Sequence, residues 1–169
     1  WASYVDLSYA INEQWDASFG VRYSVDDKKF TQRVDTPESE LGAFWAYGFT
    51  TNGEIVGKDS WKELTSRVIV RYRPTDSGML FASYTQGYKP GGFGTFGMET
   101  DENFTWGYEI TQGDYPLDRF DPETVDSYEL GYKDSLLDGR ANVTLTAFMY
   151  NYQDLQVVVA DGGASSVQN

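Results

Sequence analysis

Residues 120–154, FDPETVDSYELGYKDSLLDGRANVTLTAFMYNYQD, constrain the fold more than any other part of the chain. They read as two long strands joined by a tight turn. In the first, Tyr128, Leu130 and Tyr132 share one face, and Ser127, Glu129, Gly131 and Lys133 share the other. In the second, Val143, Leu145, Ala147 and Met149 alternate with Asn142, Thr144, Thr146, Phe148 and Tyr150. Side chains change face at every residue of a strand, so each strand has one apolar and one largely polar side. Leu137-Asp138-Gly139-Arg140 supplies the turn, with Asp-Gly suited to the positive φ that hairpins need. Strands of this length and patterning suit a wall between lipid and water.

Composition narrows the chemistry. The chain has no Cys and no His, which excludes thiolate or imidazole metal sites and a Ser-His-Asp triad. Aromatic residues make up 17% of the chain, the level of an interfacial girdle. No apolar run approaches the ~18 residues of a membrane helix. The mean hydropathy of -0.51 does not argue against a membrane barrel, because only alternate residues of its strands meet lipid. A net charge of -13 argues against nucleic acid, whose phosphates demand a basic surface. The acids fall between the apolar runs, as solvated loop charge. Trp1 is not a start residue, no signal peptide is visible, and the chain stops at Asn169 without a terminating element, so a fragment is expected.

Six strands are predicted, with connections that alternate short and long. They cover Ser3 to Ile11, Asp16 to about Phe30, Trp61 to Arg73, Met79 to Lys89, and the two of the hairpin. Asn12-Glu13-Gln14-Trp15 and Pro74-Thr75-Asp76-Ser77-Gly78 are the other short turns. Loops of about 31–59 and 90–122 are long, and residues 161–168 trail into Gly and Ser. Short turns at one end and long loops at the other are the habit of outer-membrane barrels, whose strands need ~9–11 residues to cross. A β-sandwich shows the same alternation. Strand length and the charges on the polar face (Arg22, Arg67, Arg71, Arg73, Lys89 and Glu129) favour a barrel with a polar lumen. Such charges either attract an anionic ligand or pair with neighbouring acids such as Glu129.

Several segments, in order, resemble the barrel domain of TonB-dependent outer-membrane receptors. They are LFASYTQGYKPGGF at 80–93, FDPETV at 120–125 leading into YELGYK at 128–133, LLDGR at 136–140 and YNYQDLQV at 150–157. FGVRYS at 19–24 followed by Asp26-Asp27-Lys28 is similar to that family's strand leading into an outer loop. The resemblance implies an all-β, antiparallel up-and-down transmembrane barrel of about 22 strands closed around a plug. Residues 1–169 would be part of that one barrel domain, an open curved sheet of about six strands without plug or remaining strands. Six strands do not close, since barrels need at least eight, and open edges in lipid cost several kcal/mol per unpaired group, roughly. The implied function is TonB-energised uptake of a scarce ligand such as a ferric siderophore, haem, cobalamin or oligosaccharide, with no enzymatic activity and no cofactor. Partners would be outer-membrane lipid, the plug, TonB and the ligand, a metal chelate or glycan.

The same resemblance makes loops 31–59 and 90–122 extracellular. Aromatic faces there stack on sugars or aryl groups. The candidates are Trp45, Tyr47, Phe93, Phe96, Trp106 and Tyr108, among a wider set with Phe44, Phe49, Tyr115 and Phe120. The bland role for each is loop packing or the interfacial belt. GFGTFG at 92–97 matches the spacing of a dinucleotide loop, but no helix pattern follows to hold a pyrophosphate. No acidic cluster has the spacing of a calcium loop. A passive porin-like channel and a soluble carbohydrate-binding β-sandwich remain the alternatives.

Overall fold

The computed structural model describes residues 1–36, 49–94, 108–161 and 164–169. Its main element is a six-stranded antiparallel sheet of β1 (Ala2–Ala10), β2 (Trp15–Gln32), β4 (Ile55–Tyr72), β5 (Gly78–Lys89), β9 (Glu123–Leu136) and β10 (Ala141–Gln153), in that order. The short strands β3 (Phe49–Thr51), β6 (Gly92–Phe93), β7 (Tyr108–Ile110) and β8 (Arg119–Phe120) fall in the long connections, and β11 (Val157–Asp161) and β12 (Ala164–Gln168) follow the sheet. The described residues form two compact units, one of 1–26, 62–90 and 123–155, the other of 27–61, 91–122 and 156–169.

In the first unit the short turns carry the chemistry that their sequences promise. Asn12 Oδ1 accepts the backbone N–H of Gln14 and of Trp15, each at 2.9 Å, which closes the β1–β2 turn locally. Thr75 Oγ1 accepts the N–H of Gly78 at 3.0 Å in the β4–β5 turn. The β9–β10 turn places Leu137, Asp138 and Gly139 at φ of 55°, 54° and 83°. Leucine is an unusual occupant of that region, so the left-handed stretch is one residue longer than Asp-Gly alone suggests.

Register then segregates the faces. Leu80, Tyr132 and Leu145 lie opposite one another across three strands, as do Tyr84, Tyr128 and Met149. On β1 and β2 the pairs Val5↔Val21 and Leu7↔Phe19 continue the apolar side. Nothing in this unit covers it: Leu7 is 62% exposed, Leu130 62% and Leu145 63%. Withdrawing a large apolar side chain from water contributes ~2 kcal/mol. Half a dozen left bare forfeit an amount comparable to the whole stability of an ordinary domain, about 5–15 kcal/mol. A sandwich would bury this face against a second sheet, and the open sheet rules that reading out.

The second unit holds the small buried core, Phe49, Ile55 and Ile110, with Val34 and Tyr115 packed against it. Phe49 and Tyr108 are in register in the parallel pair β3–β7, and Gly92 and Phe120 in the antiparallel pair β6–β8. Three expectations change here. β4 begins at Ile55, six residues before Trp61, and β2 runs to Gln32. The long loops contain paired strands. Of residues 161–168, expected to trail off, Asp161 ends β11 and 164–168 form β12, its antiparallel partner.

Candidate functional site

Two polar assemblies stand out, one in each unit. In the first, the polar face of β1, β2 and β4 is knitted by arginines. Arg67 on β4 donates to Asp6 on β1, a residue paired directly with Gly20 of the intervening strand β2. A Cβ at Gly20 would stand 2.8 Å from Asp6 Oδ2, so the glycine leaves room for a bridge that spans three strands. Arg71 Nη1 donates to Asp16 Oδ1 at 2.7 Å and to Ser18 Oγ at 3.3 Å, and Arg73 Nη1 donates to the other oxygen of Asp16 at 2.5 Å. One carboxylate thus accepts from two guanidiniums, a charge-assisted arrangement. Arg22 donates from Nε to Ser24 Oγ at 3.1 Å, and Lys89 lies 3.8 Å from Glu123. The arginines therefore pair with Asp6 and Asp16, not with Glu129, which has no ion pair among the described residues. Sequence distance hid this: Arg67 and Asp6 are 61 residues apart.

In the second unit, Trp61, Phe93 and Phe30 form an aromatic cluster. Trp61 meets Phe93 edge-on with centroids 5.9 Å apart, and Phe30 meets Phe93 at 5.7 Å. Lys28 lies over the Trp61 ring at 5.6 Å and donates to the carbonyl of Gly91 at 2.6 Å. Gly91 sits so close to Trp61 Nε1 and the Phe120 carbonyl that no side chain fits there. Beside the cluster, Asp59, Trp61, Pro116, Leu117, Arg119 and Asp121 line an open cleft of 680 Å³. Arg119 Nη1 donates to Asp59 Oδ2 at 2.7 Å, and the backbone N–H of Ser60 donates to Asp59 Oδ1 at 2.8 Å.

Asp59 precedes the ~9–11 residues of β4 that would cross a membrane, counted back from the turn at 73–77. The Ser60 N–H and the Arg119 guanidinium hold its carboxyl below the usual carboxylate range. A depressed folded pKa stabilises above the unfolded value and loses that contribution as pH falls through the folded one. The stability difference between the full-length protein and its Asp59→Asn variant is therefore expected to be constant above pH ~4 and to shrink in more acidic solution. Thermal unfolding across that range checks it, and parallel profiles down to strong acid would refute the role of Asp59.

Of the aromatic candidates, Phe93 stands in this cluster. Tyr108 is the first residue of β7. Phe44, Trp45, Tyr47, Phe96 and Trp106 lie outside the described residues. Phe49 is only 5% exposed and belongs to the core, so it is withdrawn from any ligand. Sequence reasoning missed Lys28, Asp59, Trp61 and Arg119. Their one signal was the placement of charge and a tryptophan at the loop ends of two strands.

An open antiparallel meander with one bare apolar face and one arginine-laced face defines a piece of transmembrane β-barrel wall. The comparisons specify which. The profile of the "TonB dependent receptor-like, beta-barrel" family matches residues 1–169, and the chain belongs to that family, one of receptors and transporters. It is 29% identical over 137 residues to the metal-pseudopaline receptor CntO of Pseudomonas aeruginosa, covering 81% of this chain and 15% of that protein. Among solved structures, it is similar to the ferric yersiniabactin uptake receptor FyuA of Yersinia pestis (TM-score 0.64, 21% identity, 92% of this chain and 20% of the other). It is also similar to the ferric-catecholate import receptor Fiu of E. coli K12 (TM-score 0.65, 18% identity, 99% and 23%). The chain thus spans less than a quarter of the length of each of these three relatives.

Proposed function

We propose that this chain is part of the wall of an outer-membrane receptor that takes up a metal chelate by TonB-coupled transport in a Gram-negative bacterium. Membership in the receptor family over all 169 residues carries the reading, and the metal-pseudopaline receptor among its relatives supports the ligand class. In this reading the apolar face meets outer-membrane lipid. Arg22, Arg67, Arg71, Lys89 and Glu129 line the lumen. Asp6 and Asp16 tie three of the lumen arginines (Arg67, Arg71 and Arg73) into the wall, while Arg22 and Glu129 are left for the plug or a passing ligand. Trp61, Phe93, Lys28 and Arg119 join the candidates Trp45, Tyr47, Phe96, Trp106 and Tyr108 at the outer end. There, aromatic faces and cations suit an anionic chelate with flat groups.

The test is uptake of radiolabelled ferric and other metal chelates by cells carrying the full-length receptor, with and without TonB. Saturable uptake that vanishes without TonB is expected. Unsaturable uptake indifferent to TonB would instead identify a passive channel. Saturable, TonB-dependent uptake of oligosaccharide but of no chelate would overturn the ligand class while keeping the transport.

A further inference from the structure

One wall of the Asp59 cleft stands on very little ladder. Arg119 and Phe120 are the whole of β8, and they pair with Phe93 and Gly92. One further bond, from the N–H of Gly94 to the Asp118 carbonyl at 3.0 Å, extends that pairing backwards. A two-residue strand is shorter than the usual minimum and does not hold its place unaided. Pro122 has no N–H, so Asp121 is the last residue of this stretch able both to donate and to accept.

Support reaches Asp121 from the β11–β12 hairpin of the same unit. Asn169 Oδ1 accepts the N–H of Asp121 at 2.6 Å, and Asn169 Nδ2 donates to the Asp121 carbonyl at 3.0 Å. Gln156 Nε2 donates to the same carbonyl at 2.9 Å. A primary amide carries both a donor and an acceptor, so Asn169 offers Asp121 what a neighbouring strand's backbone would. Gln156 directly precedes β11 and Asn169 directly follows β12. Val157 pairs with Gln168, so the two amides stand together at the base of the hairpin.

Their effect passes to the cleft through one residue. Asp121 lines it together with Asp59, Trp61 and Arg119, whereas neither Gln156 nor Asn169 does. Arg119 lies two residues before Asp121 and reaches Asp59. Between them, the Phe120 carbonyl packs against Gly91, the glycine that also makes room for Trp61 Nε1. A shift of the Asp121 backbone therefore moves the guanidinium and the carbonyl beside the indole together.

We propose that Gln156 and Asn169 are positioning residues for this cleft. By clamping both backbone groups of Asp121 they hold Arg119 and the Trp61 wall where a bound ligand meets them. This role rests on the reading of the cleft as part of a receptor's ligand site. Binding free energies are reciprocal, so a ligand that needs the clamped arrangement tightens the clamp by the factor that the clamp tightens the ligand. A chelate in the cleft thus steadies a hairpin whose two amides do not line it.

The experiment compares the full-length receptor with its Gln156→Met/Asn169→Leu variant, which keeps side-chain volume and removes these three bonds. Ferric tris-catecholate, an anion with flat groups, is the probe. Without it, hydrogen exchange at the Asp121 amide is expected to be faster in the variant. The dissociation constant for the probe should rise roughly five- to tenfold, with the maximal uptake rate and the unfolding midpoint unchanged. Gln156→Met alone, which removes one bond of the three, should give a smaller rise. In the wild type the probe should slow exchange in residues 157–161, and in the double variant it should not. Equal affinity in wild type and double variant overturns the role, and so does a lower unfolding midpoint or maximal rate in both variants, which would make the amides merely structural. Unchanged exchange at Asp121 would show that there is no clamp. A wild type that binds no probe would instead sink the reading of the cleft as a chelate site, and the positioning role with it.

Discussion

Gly131→Val is expected to lower the unfolding midpoint of the full-length receptor. Gly131 lies directly opposite Phe81 in the β5–β9 pair, and the edge of the Phe81 ring crowds it. Any Cβ at Gly131 would overlap the ring edge, so the ring must leave its place. Lys133, whose ammonium stands 5.6 Å from the same ring, loses its partner with it. Overpacking of this kind costs about 1–3 kcal/mol. An aromatic ring covering a strand glycine adds a contact that valine cannot replace. Urea unfolding followed by heat-modifiable gel mobility measures the loss. The decisive comparison adds Phe81→Ala: with the ring gone, valine has room, and part of the midpoint should return. Losses that simply add would show that the ring is not the reason for the glycine.

The second large effect is expected at Asp16→Ala. Its carboxylate accepts from Arg71 and from Arg73, and the Asp16 side chain is only 19% exposed. Removing it leaves the guanidiniums of Arg71, on β4, and Arg73, one residue past its end, without their shared acceptor. Hydrogen bonds to charged groups contribute about 1.5–3 kcal/mol each, and the exposure of Arg73 discounts its share, so a loss of roughly 2–3 kcal/mol is expected. A double-mutant cycle between Asp16 and Arg71 isolates the pair. A coupling near zero would mean that the carboxylate is merely a neighbour.

The strands were legible where the membrane pattern is strongest. Val5, Leu7 and Tyr9, or Leu130 and Tyr132, alternate with polar residues, and the turns at 12–14, 74–77 and 137–140 announce themselves by Asn, Pro, Thr and Asp-Gly. Legibility fails where the hydrophobic contrast ends. In Asp26-Asp27-Lys28-Lys29 and Gly57-Lys58-Asp59 both faces of the strand are polar or small, so β2 and β4 continue through segments that look like loop. The site was harder still. Its aromatic cluster joins Phe30 and Phe93, and its ion pair joins Asp59 and Arg119, 60 residues apart, partnerships between long strands and the short β6–β8 pair that no local pattern announces. Phe49 takes the bland role open to each loop aromatic: it packs in a small core.

In the main sheet each long strand lies beside the next long strand of the chain, with no crossover. A sheet ordered in this way copies its alignment forward. Every hairpin takes its frame from the edge laid down before it and hands that frame to its successor. A slip of one residue exchanges the two faces of a strand. At the turn of Leu137, Asp138 and Gly139 such a slip would point Phe148 and Tyr150 where Ala147 and Met149 belong, and every strand added after β10 would inherit the inversion. The three left-handed residues of that turn thus decide which face each side chain of β10 presents.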